Sequence, residues 1–362
     1  MTKEIAADSP ARLGYRMPAE WEPQRATWLA WPHNRTDWPG KFEPIPYVYA
    51  EIVRQLVHAT SVEIIVKDAK AEAQAKQILS DANIWPNWEL TIHFHQWPTN
   101  RGWLRDSGPI FVRGKARQIA ITSWKFNAWA KYKNWQLDKL IPARIAELRG
   151  FPSFEALVEV KGQSRQMVLE GGSIDVNGKG LLLTTEECLL GPVQQRNPGM
   201  TREEIEATLR LMLGVKKVLW LARGIVGDDT HGHVDDIARF IGANRILAAT
   251  EGNRRDPNYA ILQENLERLE KMTDSAGKPL EIIPLPMPAP IVYKGQRVPA
   301  SYANFYIANQ RVLVPTFNDP NDLAALNIIQ RALPKHTVVP IYCGDLIWGL
   351  GAIHCMTQQE PR

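Results

Sequence analysis

The chain has 362 residues, of which 44% are hydrophobic and 23% charged. Those are the proportions of a folded soluble protein with chain enough for a sizeable core, and the length admits two or so domains or one large symmetric domain. The 43 basic residues outnumber the acidic ones by only four and lie scattered with no Lys/Arg run, so no nucleic-acid partner is expected.

No stretch of about 18 apolar residues occurs, so no membrane span is expected. The opening MTKEIAADSP has no apolar core of a secretory signal. Three cysteines, Cys188, Cys343 and Cys355, are too few and odd in number for a disulfide framework and suit a reducing cytoplasm. The absence of a CxxC pair argues against a thiolate zinc site. Thirteen tryptophans are many, with Trp21, Trp28, Trp31 and Trp38 near the start. They read as core aromatics before they read as a ligand wall.

In chain order, the apolar spacing predicts a helix over Tyr47 to His58, a strand in SVEIIVK and a helix over Ala71 to Leu79. LTIHFHQW and QIAITSW alternate as strands, and Trp135 to Leu148 reads as a helix. GGSIDVNGKGLLLTT carries a hairpin signal, with Asn177-Gly178 as a type I′ turn. A helix over Glu203 to Leu213, a strand in KKVLWLA, a hairpin in RFIGANRILAAT and a helix over Asn258 to Met272 follow. NFYIANQRVLVPTF repeats the strand-turn-strand unit around Asn309-Gln310. Asp322 to Leu333 reads as a helix and TVVPIY as a last strand. The Pro-rich IIPLPMPAPIVYKGQRVP reads as a long surface loop lying over a site. The class is therefore α/β, built from recurrent strand-turn-strand-helix units.

Four stretches can carry chemistry. RGWLRDSGPIFV places Asp106 just after a strand and before Gly108-Pro109, where it is either a turn former or a fixed acid. MVLEGGSIDV places Glu170 before Gly171-Gly172, a bulge in a hairpin or a carboxylate beside bare backbone that a cation can approach. GDDTHGHVDDIARF is the densest polar cluster. With Gly232 to Ile237 extended, His231, His233 and Asp235 share one face. That face reads either as a zinc site, by likeness to the HxHxD start of the metallo-β-lactamase pattern, or as a metal-free acid/base with a carboxylate for a cation. GLGAIHCMTQQEPR presents Cys355 between glycines and polar residues, a nucleophile if it is not simply a buried small hydrophobe. Cys188 and Cys343 fit the buried reading.

Together with MPAEWEPQRATWLAWP, RNPG and YANFYIAN, these stretches resemble the agmatine deiminase family, which includes bacterial peptidylarginine-deiminase-like proteins within the guanidino-group-modifying enzymes. The likeness runs over nearly the whole chain. It implies a five-bladed α/β propeller (pentein fold) of pseudo-fivefold symmetry, hence one domain over residues 1–362. It also implies Cys355 as nucleophile and His233 as acid/base. Asp106 and Asp235 would hold the guanidinium, Glu170 would complete the acidic ring, and Trp103 and Gly172 would join the substrate-binding set. The implied reaction converts agmatine to N-carbamoylputrescine and ammonia, a step toward putrescine in that family, with no metal or other cofactor. The implied partner is a small guanidino substrate, and homo-oligomers are common in the family. Many members read DTDGHVDN and GGGNIHC where this chain reads DTHGHVDD and GLGAIHC, so His231, Leu350 and Ala352 depart beside the expected site. Free arginine, peptidyl arginine or another guanidino compound therefore stay open as substrates.

Overall fold

The computed structural model describes residues 8–362. The expectation of no leader segment rests largely on residues 1–7, outside the described residues. Among those described, no helix is long and apolar enough to cross a membrane.

The polypeptide repeats one unit around a ring: a short inner strand, an antiparallel neighbour, a crossover helix and a third strand parallel to the second. The first sheet takes β1 (Gln24–Ala30), helix Ile45–Leu56, β2 (Ser61–Val66), helix Ala69–Asp81 and β3 (Ile92–Gln96). The second takes β4 (Ile110–Arg113), β5 (Ile119–Ser123), helix Ile141–Arg149 and β6 (Ser153–Glu155). A small hairpin, β7 (Leu157–Val160) and β8 (Gln163–Gln166), leads to the third sheet. That sheet is β9 (Asp175–Val176), β10 (Leu181–Thr185), helix Arg202–Leu213 and β11 (Lys217–Leu221). The fourth is β12 (Ala238–Gly242), β13 (Arg245–Thr250), helix Pro257–Glu270 and β14 (Glu281–Pro286). After a second hairpin, β15 (Val292–Tyr293) and β16 (Gln296–Arg297), the fifth is β17 (Tyr306–Ile307), β18 (Arg311–Thr316), helix Asp322–Ala332 and β19 (Thr337–Tyr342).

The inner strand of the first sheet comes from the other end of the chain. β20 (Thr357–Pro361) pairs antiparallel with β1, Thr27 opposite Gln359 and Leu29 opposite Thr357. The sheet order is thus β20-β1-β2-β3, against three-stranded orders such as β4-β5-β6 and β12-β13-β14. The terminal strand closes a five-bladed propeller and leaves no open edge toward the axis. Trp28, fully buried, clamps the closure by donating its indole N–H to Glu360 Oε2 at 2.8 Å.

The helices and outer strands follow the sequence periodicity, with boundaries set by local chemistry. The helix expected from Trp135 begins at Ile141 because Pro142 takes the first turn, where its missing N–H costs nothing. Asn177-Gly178 does not form a type I′ turn. The positive φ values fall at Gly178 and Gly180, and Asn177 Oδ1 accepts from the N–H groups of Lys179 and Leu181 across a wider loop. The Pro-rich segment opens as strand β14, because its alternate prolines sit on the sheet's outer strand and need no further partner. Its later part is the β15–β16 hairpin. The pattern passed over β1 and β20, so TVVPIY is not the last strand.

Apolar clusters fill the spaces between neighbouring blades, with Ile52, Tyr306 and Leu313 in one and Met167, Leu182 and Leu209 in another. Inner segments meet in a buried ionic cluster. Glu20 Oε1 lies 2.9 Å from Arg239 Nη2, and Oε2 accepts from His354 Nε2 at 2.8 Å, with Arg105 Nη2 at 3.4 Å. Arg239 also donates to the carbonyls of Ala303 and Phe305. Burying these charges is costly unless each finds its partners. Against that cost, Arg239, His354 and Arg105 hold the Glu20 carboxyl well below the ordinary range.

Candidate active site

Each blade delivers one short turn just ahead of its inner strand, and these turns converge. Leu104–Ser107 precedes β4, Gly171–Ser173 precedes β9, Val234–Asp236 precedes β12 and Ile353–Met356 precedes β20. Before β17 the same place is taken by a turn at Ser301 that ends at Asn304. Asp106 therefore sits in a helical turn before a strand, not directly after one, because its fixed geometry comes from the Trp103–Gly108 backbone turn. The HGHVDD segment is likewise a turn. His231 adopts φ +63°, and of the three residues expected on one face only His233 and Asp235 are turned inward. His231 lies instead 3.8 Å from Glu187, which parts it from His233 and removes the shared face that a zinc reading through both histidines requires.

The inward groups are close. Asp106 Oδ1 accepts from Gly172 N–H at 3.0 Å and Oδ2 from the Trp129 indole at 2.8 Å. His233 Nδ1 is 3.7 Å from Asp106 Oδ1 and 4.0 Å from Asp235 Oδ1, and Nε2 is 3.7 Å from Glu170 Oε2. Glu170 Oε1 accepts from buried Arg196 at 3.0 Å. Asp235 Oδ2 accepts from His354 Nδ1 at 2.7 Å and lies 3.6 Å from Cys355 Sγ. Gly172 passes between them so tightly that a Cβ there would meet His233 Nδ1 at 2.6 Å and Asp106 Oδ1 at 2.8 Å. The glycines beside Cys355 serve aromatics, since a Cβ on Gly349 or Gly351 would strike Trp38 or Trp103.

Sequence reasoning passed over Asn304. Its amide N–H₂ donates to Cys355 Sγ at 3.1 Å and to Asp236 Oδ1 at 2.9 Å. Its Oδ1 accepts from the backbone of His354 at 3.0 Å and of Cys355 at 3.4 Å. All four hydrogen-bonding capacities of the amide are used, which fixes its flip and aims a donor at the sulfur. The signal was positional: NFYIAN occupies in the fifth unit the place that the other site residues occupy in theirs. His354, next to Cys355 in the IHC motif, has both its ring nitrogens held by carboxylates.

The electrostatics follow from burial in a ring of acids. Burial and the carboxyls of Asp235, Asp236 and Asp106 push the Cys355 thiol well above its ordinary value, opposed by the Asn304 donor. Burial, with Asp235 and Glu170 adding, lifts Asp106 to about 6, against the pull of His233. Burial opposes charge on His233, but Asp106 and Glu170 outweigh it and hold the imidazolium well above its usual range. Glu170, despite burial, is kept down at about 2 by Arg196 and His233. Several polar atoms stay open: the acceptors Asp235 Oδ1 and Glu170 Oε2, and both ring nitrogens of His233, are buried without a hydrogen-bond partner. Buried polar atoms left open in this way mark a place where a ligand with donors belongs.

The opposing influences on the sulfur give a paired prediction. Asn304→Ala removes a donor to the thiolate, so the pH at which Cys355 reacts with iodoacetamide rises. Asp236→Asn removes a repelling carboxyl, so that pH falls. Rates of carboxamidomethylation against pH check both, and movement in one direction for both variants contradicts the geometry.

Asp106 and Cys355 border a cavity of about 590 Å³ walled by Trp103, Trp129 and Trp348, with Gln296 of the small hairpin also on its edge. The first four tryptophans lie in or against the core, and later ones build the wall. Of the three departures from the family pattern, only Leu350 borders the cavity. It holds φ +68°, a conformation a side chain adopts at a cost.

Residues 16–361 match the family model of the Porphyromonas-type peptidyl-arginine deiminases. The agmatine deiminases of Ectopseudomonas mendocina and Pseudomonas aeruginosa are each 33% identical to the chain, over 98% of it and 97% of their own lengths. The solved structure of the Enterococcus faecalis agmatine deiminase superposes with a TM-score of 0.89 at 32% identity, covering 98% of each chain.

Proposed function

The chain belongs to the Porphyromonas-type peptidyl-arginine deiminase family, and from that premise we propose that it hydrolyses agmatine to N-carbamoylputrescine and ammonia. The observation that carries the reading is the cluster of open carboxylate oxygens around Cys355 and His233 at a cavity wall, a setting that a planar cation completes. Asp106 and Asp235 hold the guanidinium plane. Cys355, which gives up its proton to solvent as the cation binds, attacks the central carbon as the thiolate, one C–N bond breaks and His233 passes its proton to the departing nitrogen, giving ammonia and an S-linked amidinium intermediate. His233 then takes a proton from water, the hydroxide adds to the same carbon, and the C–S bond breaks to release the ureido product. Every step uses this chain's groups and water.

The four methylenes of agmatine suit the tryptophan walls. Asp37, whose Oδ2 is buried without a partner, also borders the cavity. Asp37 is paired there with Arg101 and burial lifts it to about 7, so an amine at the end of the substrate, which donates to the open Oδ2, is expected to fit better than a carboxylate. We read residues 1–362 as one domain acting in the cytoplasm, where three unpaired, buried cysteines are stable.

The test is ammonia release from agmatine, free arginine and a blocked peptidyl arginine in parallel. Agmatine is expected to lead the other two by at least about 10²-fold in kcat/KM, the lower end of what an uncompensated buried charge costs. Leu350→Gly restores the residue many family members carry there and relaxes the φ +68° backbone, so it keeps or widens that lead. Equal turnover of free arginine would displace agmatine and keep the deimination chemistry.

A further inference from the structure

The side of His233 turned away from Asp106 faces a second cluster. Glu170, Cys188 and His233, all buried, each offer one donor atom, and these atoms lie within 4.8 Å of one another. Cys188 is placed by the turn Glu186–Leu190, whose start is capped by Thr185 Oγ1 accepting from the Cys188 N–H. Glu170 spends Oε1 on Arg196, while its Oε2 and the Nε2 of His233 have no hydrogen-bond partner. A carboxylate oxygen, an imidazole nitrogen and a sulfur, open and convergent, form the donor set of a three-ligand zinc site. Bond lengths of about 2.0–2.3 Å place such donors roughly 3–4 Å apart, so the cluster closes by about 1 Å around an ion.

We propose that Glu170, Cys188 and His233 bind a soft divalent cation such as Zn²⁺, and that this binding switches the enzyme off. The ion displaces two protons to solvent, one from Cys188 and one from Nε2 of the His233 imidazolium, and its bond to Nε2 then leaves that nitrogen with no proton to give and no lone pair for proton uptake. The metal is thus an inhibitor held behind the acid/base, apart from the cavity-lining Cys355. The inhibition rests on the acid/base reading of His233, but the binding does not.

The experiment separates the two. Co²⁺ added to Cys355→Ser protein reports binding without the Cys355 thiol. A near-ultraviolet thiolate-to-cobalt band that disappears in the Cys188→Ala/Cys355→Ser double variant is expected. In turnover, Zn²⁺ is expected to inhibit the unmodified enzyme. Cys188→Ala is expected to keep basal activity within about twofold and to need at least about tenfold more Zn²⁺ for half-inhibition. Cys188→Ser replaces Cys188→Ala should the latter unfold. Absence of the cobalt band in Cys355→Ser protein, or Zn²⁺ inhibition unchanged by loss of Cys188, overturns the proposal.

Discussion

Cys355→Ser protein should lose ammonia release from agmatine by about 10⁴-fold or more while keeping its unfolding midpoint. The substitution preserves size, and the Asn304 amide can donate to oxygen as to sulfur, so packing barely changes. What changes is the nucleophile. A serine hydroxyl ionises far less readily than a thiol, and three nearby carboxyls oppose an alkoxide even more than a thiolate. Agmatine should still bind, because Asp106 and Asp235 remain, and calorimetry on the variant measures that directly. Mass spectrometry of the unmodified enzyme quenched during turnover should find an adduct on the peptide holding Cys355. Activity within tenfold of the parent enzyme, or an adduct on another peptide, would remove Cys355 from the reaction.

The second large effect concerns how the thiol becomes reactive. In the free protein, burial and the carboxyls of Asp235, Asp236 and Asp106 keep it protonated near neutral pH. A guanidinium at roughly 4 Å is worth about 4 kcal/mol at an effective dielectric near 20, or about three pK units. Binding of the cation should therefore lower the thiolate midpoint by about three pH units. The sign follows from linkage: a group that loses its proton on binding makes affinity rise with pH, up to the midpoint of the free thiol. Ultraviolet thiolate absorbance, titrated with and without a small amidinium ion that is not turned over, measures the shift. A free thiol already ionised well below neutral pH would sink substrate-assisted activation. The same logic explains why the site tolerates so many acids around its sulfur, since the acids that suppress the free thiolate are the groups that recruit the cation.

Periodicity in one dimension sufficed for the outer parts of each blade. The helices over Arg202–Leu213 and Pro257–Glu270, and the hairpin of β12 and β13, stand where apolar spacing and turn residues put them. These are local matters: a helix face or a strand pair is decided by residues a few positions apart. The motifs that mark the family are legible too, because each occupies a contiguous stretch. The inner strands were harder. β1 and β20 are 326 residues apart from end to start and carry pattern only as a pair, since Trp28 and Glu360 make sense of each other across the closure.

The sequence by itself determined the α/β class, the repeated unit and the residue types that the proposed chemistry draws on: a Cys between glycines and polar residues, one His and three acids in motifs. Only the tertiary structure decided which atoms meet. It turned His231 outward while His233 stayed in, brought Asn304 from the fifth blade onto Cys355, and set Cys188 behind His233. The physical reason is ring closure. Five turns far apart in sequence are brought to one axis by strand pairing and blade packing, and distances across that axis are written in no local pattern.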